Sequence, residues 1–204
     1  MQLTITQPDD FHLHLRDGTL MGHVVSASAN QFARAIIMPN LSPPVIKTAD
    51  ALAYQNRIQN QLPPDHPFKP LMTLFLCAQI DADDLVHGFQ QSIISAVKLY
   101  PSGVTTNSAA GPKALTSLSH IFATMERHDI PLLIHGEVPD HDCDIFDREA
   151  RFIDRELTWL TANFPALRIV FEHITTIEAL HFVDDAGAKV AATITPHHLM
   201  INRS

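Results

Sequence analysis

Apolar residues follow two alternating rhythms along the chain. Short apolar runs, rich in Ile, Leu, Val and Phe, occur at Ala33–Pro39, Leu71–Leu76, Ser95–Tyr100, Pro131–His135, Arg168–His173 and Lys189–Pro196. Such runs are too short for helices and read as buried strands. Between them apolar residues recur at helical spacing. Thr48–Leu62 carries Ala51, Leu52, Tyr54, Ile58 and Leu62, and Pro63-Pro64 stops it. Asp81–Ser92 has acids in its first turn, which suit the helix dipole. Lys113–His128 and Asp147–Asn163 follow, the latter with Phe152, Ile153, Leu157 and Leu160 on its apolar face. Thr175 and Glu178 have capping-box spacing and open a helix that ends near Gly187. Pro101–Pro112, rich in Ser, Thr, Gly and Ala, is a loop. Phe11–Arg16 is a further strand, turned off by Asp17-Gly18.

Seven strands separated by helical crossovers imply an α/β fold with a parallel sheet. No Gly-rich phosphate fingerprint follows the first strand, which speaks against a doubly wound sheet. Polar residues cluster at the C-terminal ends of several strands, the signature of a TIM (β/α)8-type barrel. Barrels of this kind run to about 250 residues, and this chain has 204. The expected architecture is therefore one domain, residues 1–204, holding about seven of eight β/α units: a barrel incomplete at its C-terminal side. Unpaired edges on the first and seventh strands would make such a chain prone to self-association.

Composition narrows the function. Hydrophobic residues make up 46%, enough for a large core, and the formal net charge of −8 argues against a nucleic-acid surface. Cys77 and Cys143 are too few and too far apart for a disulfide framework, which suits a reducing cytoplasm. Asp9 and Asp10 interrupt the N-terminus before a leader could form, and no apolar run is long enough to span a membrane.

The chemistry starts at Phe11–Gly18. Side chains alternate along a strand, so His12 and His14 share one face and Leu13 and Leu15 the other, with Arg16 one step further on the histidine face. Two imidazoles so placed can converge on one metal ion; alone, they can also be an exposed polar strand end. His135 and His173 end the fifth and sixth strands. In a barrel all four histidines would meet at one mouth. Lys98, between Val97 and Leu99, is costly inside an apolar strand. It either snorkels or pairs with an acid or, as a desolvated neutral amine, adds carbon dioxide to become a carbamate able to bridge two cations. Two close metals would share a water and lower its pKa. His23, His66, His87, His120, His128, His141 and His181 fall on helices or loops and have no expected role. His197 and His198 follow the seventh strand, near the same mouth, and are not counted as ligands.

Several stretches, in order along essentially the whole chain, strongly resemble one family. They are His12–Gly18, Met38-Pro39-Asn40, Lys98–Pro101, Thr105–Asn107, His135-Gly136-Glu137, Phe146–Arg151, Glu172–Thr176 and Thr195–Leu199. The family is dihydroorotase, of the single-function bacterial type in the amidohydrolase superfamily. The resemblance implies reversible, zinc-dependent cyclisation of N-carbamoyl-L-aspartate to L-dihydroorotate in pyrimidine biosynthesis. It implies that His12 and His14 bind the more buried Zn2+, that His135 and His173 bind a second, and that N6-carboxylated Lys98 bridges them. A metal-bridging hydroxide would attack the ring amide. Arg16 and Asn40 would hold the substrate carboxylate, which a guanidinium fork suits. Thr105 and Thr106 would sit on a loop that closes over the substrate. The family's general base, an aspartate after strand eight, has no counterpart before Ser204. The resemblance also implies a homodimer in the cytoplasm, with a small-molecule substrate and no nucleic-acid or membrane partner.

Two other readings stay open. One is another cyclic-amide hydrolase, hydantoinase-like. The other is a non-catalytic, dihydroorotase-like scaffold subunit, against which the intact set of ligating residues speaks.

Overall fold

The structure is a computed structural model that describes residues 2–202; Met1, Arg203 and Ser204, the last two of them the expected chain end, lie outside it. Seven parallel strands run in sequential order β1 to β7: Asp10–Leu13, Arg34–Ile37, Lys69–Phe75, Ala96–Leu99, Leu132–Ile134, Ile169–Phe171 and Val190–Ala192. Each pairs with the next. Helices α1 (Gly18–Gln31), α2 (Thr48–Gln59), α3 (Ala82–Gln90), α4 (Ser119–Arg127), α5 (Arg148–Phe152), α6 (Thr158–Asn163), α7 (Ile177–Asp185) and α8 (Pro196–Met200) complete the order. Between α5 and α6 the helix continues through a π-helical turn, Ile153–Leu157. The reading of Asp147–Asn163 as one long helix thus stands with a widened turn inside it.

The sheet is strongly curled. In a flat sheet β1 and β6 would stand five strand spacings apart, roughly 24 Å at about 4.8 Å each. Instead the His12 and His173 rings, at the ends of β1 and β6, have centroids 5.2 Å apart. This is the wall of a barrel. Among the described residues β1 and β7 are its two edges, with no pairing between them.

Period-two alternation sorts the strand residues into two layers. Ile37, Leu74, Val97, Leu99, Leu132, Ile134, Ile169 and Phe171 face the helices and join the main core. Met38, Ala96 and Leu133, with Ile36 and Val170, form a separate cluster on the concave side. Above it lie Phe75, Cys77 and Tyr100, with the Phe75 and Tyr100 rings stacked 5.4 Å apart. The concave side is therefore a packed interior whose upper layer carries the chemistry.

Several expectations need correction. Helix α1 was not anticipated, because its apolar stripe is only Met21, Val25 and Ala29 amid small and polar residues. Asp17 caps it by accepting from Gly18 N–H, so Asp17-Gly18 starts a helix rather than a bare turn. The helix expected from Lys113 begins with a 3-10 turn at Leu115–Leu118 and becomes α-helical only at Ser119. Leu52, expected on the buried face of α2, is exposed; that face is Thr48, Ala51, Tyr54 and Ile58. The N-cap of α7 is Thr176, not Thr175. Its Oγ1 accepts from Ala179 N–H, and Glu149 of α5, not Glu178, satisfies the remaining amides. β1 and β7 are also shorter than expected, and Pro196 is the first residue of α8.

Candidate metal and substrate site

The ends of β1, β4, β5 and β6 meet at the concave mouth. His12 and His14 flank outward-facing Leu13, and their Nε2 atoms lie 3.0 Å apart. Ring contacts continue from His12 to His173 at 5.2 Å and from His173 to His135 at 4.8 Å. Tyr100 closes the row, 6.1 Å from His135. Below the rings lies Lys98, fully buried, its ammonium 4.8 Å from the Tyr100 ring centroid and ion-paired with Glu172. Above them is a cleft of ≈ 430 Å³, lined by the four histidines, with Glu137 and His198 at its rim.

Electrostatics keep two of these imidazoles uncharged. Burial, with the His12, Arg16 and Lys98 charges, brings His14 down to about 3. Burial, Lys98 and the neighbouring rings bring His173 down to about 2. A neutral imidazole offers a lone pair, which is the form that binds a metal. Burial also lowers the Lys98 amine, against the pull of Glu172. For Glu172, burial pushes the carboxyl up, but Lys98 and His12 outweigh it and the net shift is downward. The two groups form a buried pair, Lys98 Nζ donating to Glu172 Oε2.

The residues fit a divalent cation. The two Nε2 atoms of His12 and His14 face one another at a separation two ligands of one ion adopt, and the Nδ1 atoms of both rings are buried without a hydrogen-bond partner. Among the described residues no three His, Cys, Asp or Glu side chains already form a closed cage. Lys98 is the buried amine beneath the row of histidines.

Arg16 lies past the end of β1 with φ +59, so it does not continue the strand as expected. Tyr54 donates from its hydroxyl to Arg16 O at 2.5 Å and fixes this left-handed turn. The guanidinium still reaches the mouth: its charge acts on His14 and Tyr100, and Nη1 is buried without a partner. Asn40 is buried. Its Nδ2 donates to Thr106 O at 2.9 Å and its carbonyl accepts from Asn107 Nδ2 at 3.1 Å. Asn40 thus ties the 101–112 loop to the mouth. Thr105 and Thr106 are exposed on that loop.

Comparison with known proteins decides the family. No family model matches the chain. A dihydroorotase of Synechococcus sp. (strain RCC307) is 53% identical over 203 residues, covering 100% of this chain. One of Alcanivorax borkumensis is 50% identical over 99% of it. The crystal structure of dihydroorotase from Campylobacter jejuni superposes with a TM-score of 0.87 at 40% identity over 96% of this chain.

This chain belongs to the dihydroorotase family.

It spans 59% of the length of those two relatives and 56% of the Campylobacter chain. An L-hydantoinase from Arthrobacter aurescens also superposes, with a TM-score of 0.77 at 15% identity, a likeness of barrel fold alone.

The structure brings together all five residues expected at the dihydroorotase metal site: His12, His14, Lys98, His135 and His173. It also places three carboxylates that the sequence reading left without roles. Glu172 is buried between Lys98 and His12. Glu137 Oε2 lies 2.8 Å from His135 Nε2. Glu149 accepts from the Thr175 and Thr176 amides and the Thr176 hydroxyl, fixing the turn that follows His173. Parity could have found Glu172. Val170 faces the interior, so Glu172 must too, and a regular strand would then turn His173 outward. His173 has φ +45, which breaks the alternation and lets adjacent residues both face the mouth.

Proposed function

We propose that this chain carries the cation-binding and carboxylate-binding part of a dihydroorotase, an enzyme that interconverts N-carbamoyl-L-aspartate and L-dihydroorotate. The observation that supports it best is the unbroken row His14, His12, His173, His135 above buried Lys98. His12 and His14 would hold one Zn2+, His135 and His173 a second, with Lys98 as its N6-carboxylate between them. When bound, the two cations supply the positive charge that acidifies a shared water and polarises the amide carbonyl.

The chain's own residues do the rest. His14 and His173 stay neutral and keep their lone pairs free. The Arg16 guanidinium, with a buried free N–H, takes the substrate carboxylate. Asn40, beside it at the mouth, joins it. Thr105 and Thr106 offer hydroxyls from above. Burial favours the neutral Lys98 amine, the form that adds carbon dioxide. A homodimer in the cytoplasm is proposed with the same reading. Among the described residues no helix is long and apolar enough to cross a membrane.

The test is metal analysis of the purified chain loaded with Zn2+ in bicarbonate buffer, then turnover of L-dihydroorotate. Two Zn2+ per chain, lost together in His12→Ala and His135→Ala, are expected. Turnover of L-dihydroorotate is expected from the zinc-loaded chain and should fall with zinc content in both variants. A folded chain that retains no zinc ends the reading.

A further inference from the structure

We infer that Glu172 is the positioning residue of the histidine pair: one oxygen takes the Nδ1 proton of His12, which keeps Nε2 toward His14, while in the metal-free chain the other accepts from the unmodified Lys98 amine. The inference rests on the reading that His12 and His14 hold a cation.

The geometry carries it. Glu172 is 1% exposed, and its Oε2 is bound by Lys98. Its Oε1 is buried and has no hydrogen-bond partner, yet lies 3.0 Å from His12 Nδ1, itself buried and unpartnered. The two atoms are within reach but off the line a hydrogen bond needs. A proton on His12 Nδ1 donated to Oε1 would satisfy both of these buried atoms at once. Nδ1 is then the protonated nitrogen. The lone pair falls on Nε2, which already faces His14 Nε2 at 3.0 Å. With the opposite tautomer Nε2 carries the proton and its lone pair is lost to a cation. A carboxylate behind a ligating imidazole fixes ring and tautomer in this way, and its loss typically lowers metal affinity 10–100-fold. Among the described residues the other carboxylates nearby are engaged elsewhere: Glu137 on His135, Glu149 on Thr175 and Thr176, and Asp10 on the His12 backbone N–H. Glu172 also joins β1 to β4 through β6, so one side chain sets the spacing of donors from three strands.

The experiment has two arms, both on the full chain. In the first, Co2+ alone is titrated into metal-free wild type and Glu172→Gln, with binding read from the cobalt absorption bands and folding from circular dichroism. The variant should bind 10–100-fold more weakly with altered bands, and Glu172→Asp should recover only part of the loss. A folded Glu172→Gln with wild-type affinity overturns the inference. Wild type that binds no Co2+ fails the underlying cation reading instead. The second arm needs no variant, and decides the matter if Glu172→Gln does not fold. In 15N-labelled, metal-free wild type at pH 8, long-range 1H–15N spectra should show His12 with Nδ1 protonated. A His12 protonated on Nε2 overturns the inference.

Discussion

Gly136 follows His135 at the mouth, and an alanine there tests how tightly the barrel wall is packed. A Cβ at Gly136 would lie 2.0 Å from Cε2 of Phe171, 2.7 Å from Cζ and 3.0 Å from Cδ2. Its φ is outside the left-handed region, so the cost is steric and not conformational. Ordinary contact begins at 3.4 Å, so the ring has to retreat by about 1.4 Å. It has no room: Phe171 is fully buried and packs against Phe152 at 6.4 Å between centroids. Overpacking typically costs 1–3 kcal/mol, and a displacement this large in a closed layer belongs at the top of that range, about 3 kcal/mol. For a domain of this size that lowers Tm by roughly 6–12 °C. Phe171→Leu removes the offending atoms and by itself costs about 1–2 kcal/mol. The double variant should therefore be more stable than the sum of the singles predicts, by at least about 1 kcal/mol. Thermal unfolding of the four proteins, without metal, measures the cycle. A Gly136→Ala protein melting within 2 °C of wild type, or strictly additive losses, would refute the packing argument.

Other outcomes are expected. In metal-free protein Lys98→Met strands the Glu172 carboxylate and should cost about 3–5 kcal/mol by urea denaturation, whereas Lys98→Met with Glu172→Gln should recover most of it; equal losses would deny the buried pair. Glu149→Ala should cost about 3 kcal/mol by losing charge-assisted bonds to the turn after His173, and Glu149→Gln much less. Burial raises the Glu149 carboxyl above its usual value, so its contribution is fullest below pH 4.5 and declines as pH rises through the folded value. The stability of wild type relative to Glu149→Gln should accordingly be lower at pH 7 than at pH 4, and the reverse slope would contradict the cause. The polypeptide should self-associate in light scattering, because among the described residues β1 and β7 each have one edge without a partner strand and Ile194, Leu199, Met200 and Ile201 are exposed beside β7; a monodisperse monomer at high concentration would count against this.

Much of the candidate site was legible because strand periodicity is a local property. His12 and His14 share a face whatever the rest of the chain does, and Lys98 between Val97 and Leu99 is costly in any buried strand. The strand and helix order followed from spacing, with errors where spacing is weak. Helix α1 hides its stripe among small residues. The cap of α7 shifted by one residue because Glu149, distant in sequence, supplies an acceptor that no local pattern reveals. Nothing local to Arg16 shows that Tyr54 draws its carbonyl into a left-handed turn.

The sequence by itself determined which residues could do chemistry, that His12 and His14 share a face, and the family to which they belong. Only the tertiary structure decided their distances. Curling the sheet brings His12 within 5.2 Å of His173, places Glu172 between Lys98 and His12, and ties the loop to Asn40. Alternation along a strand is fixed by backbone stereochemistry one residue at a time. Closure of a barrel is fixed by twist and packing summed over every strand, and neighbours in sequence do not carry that sum.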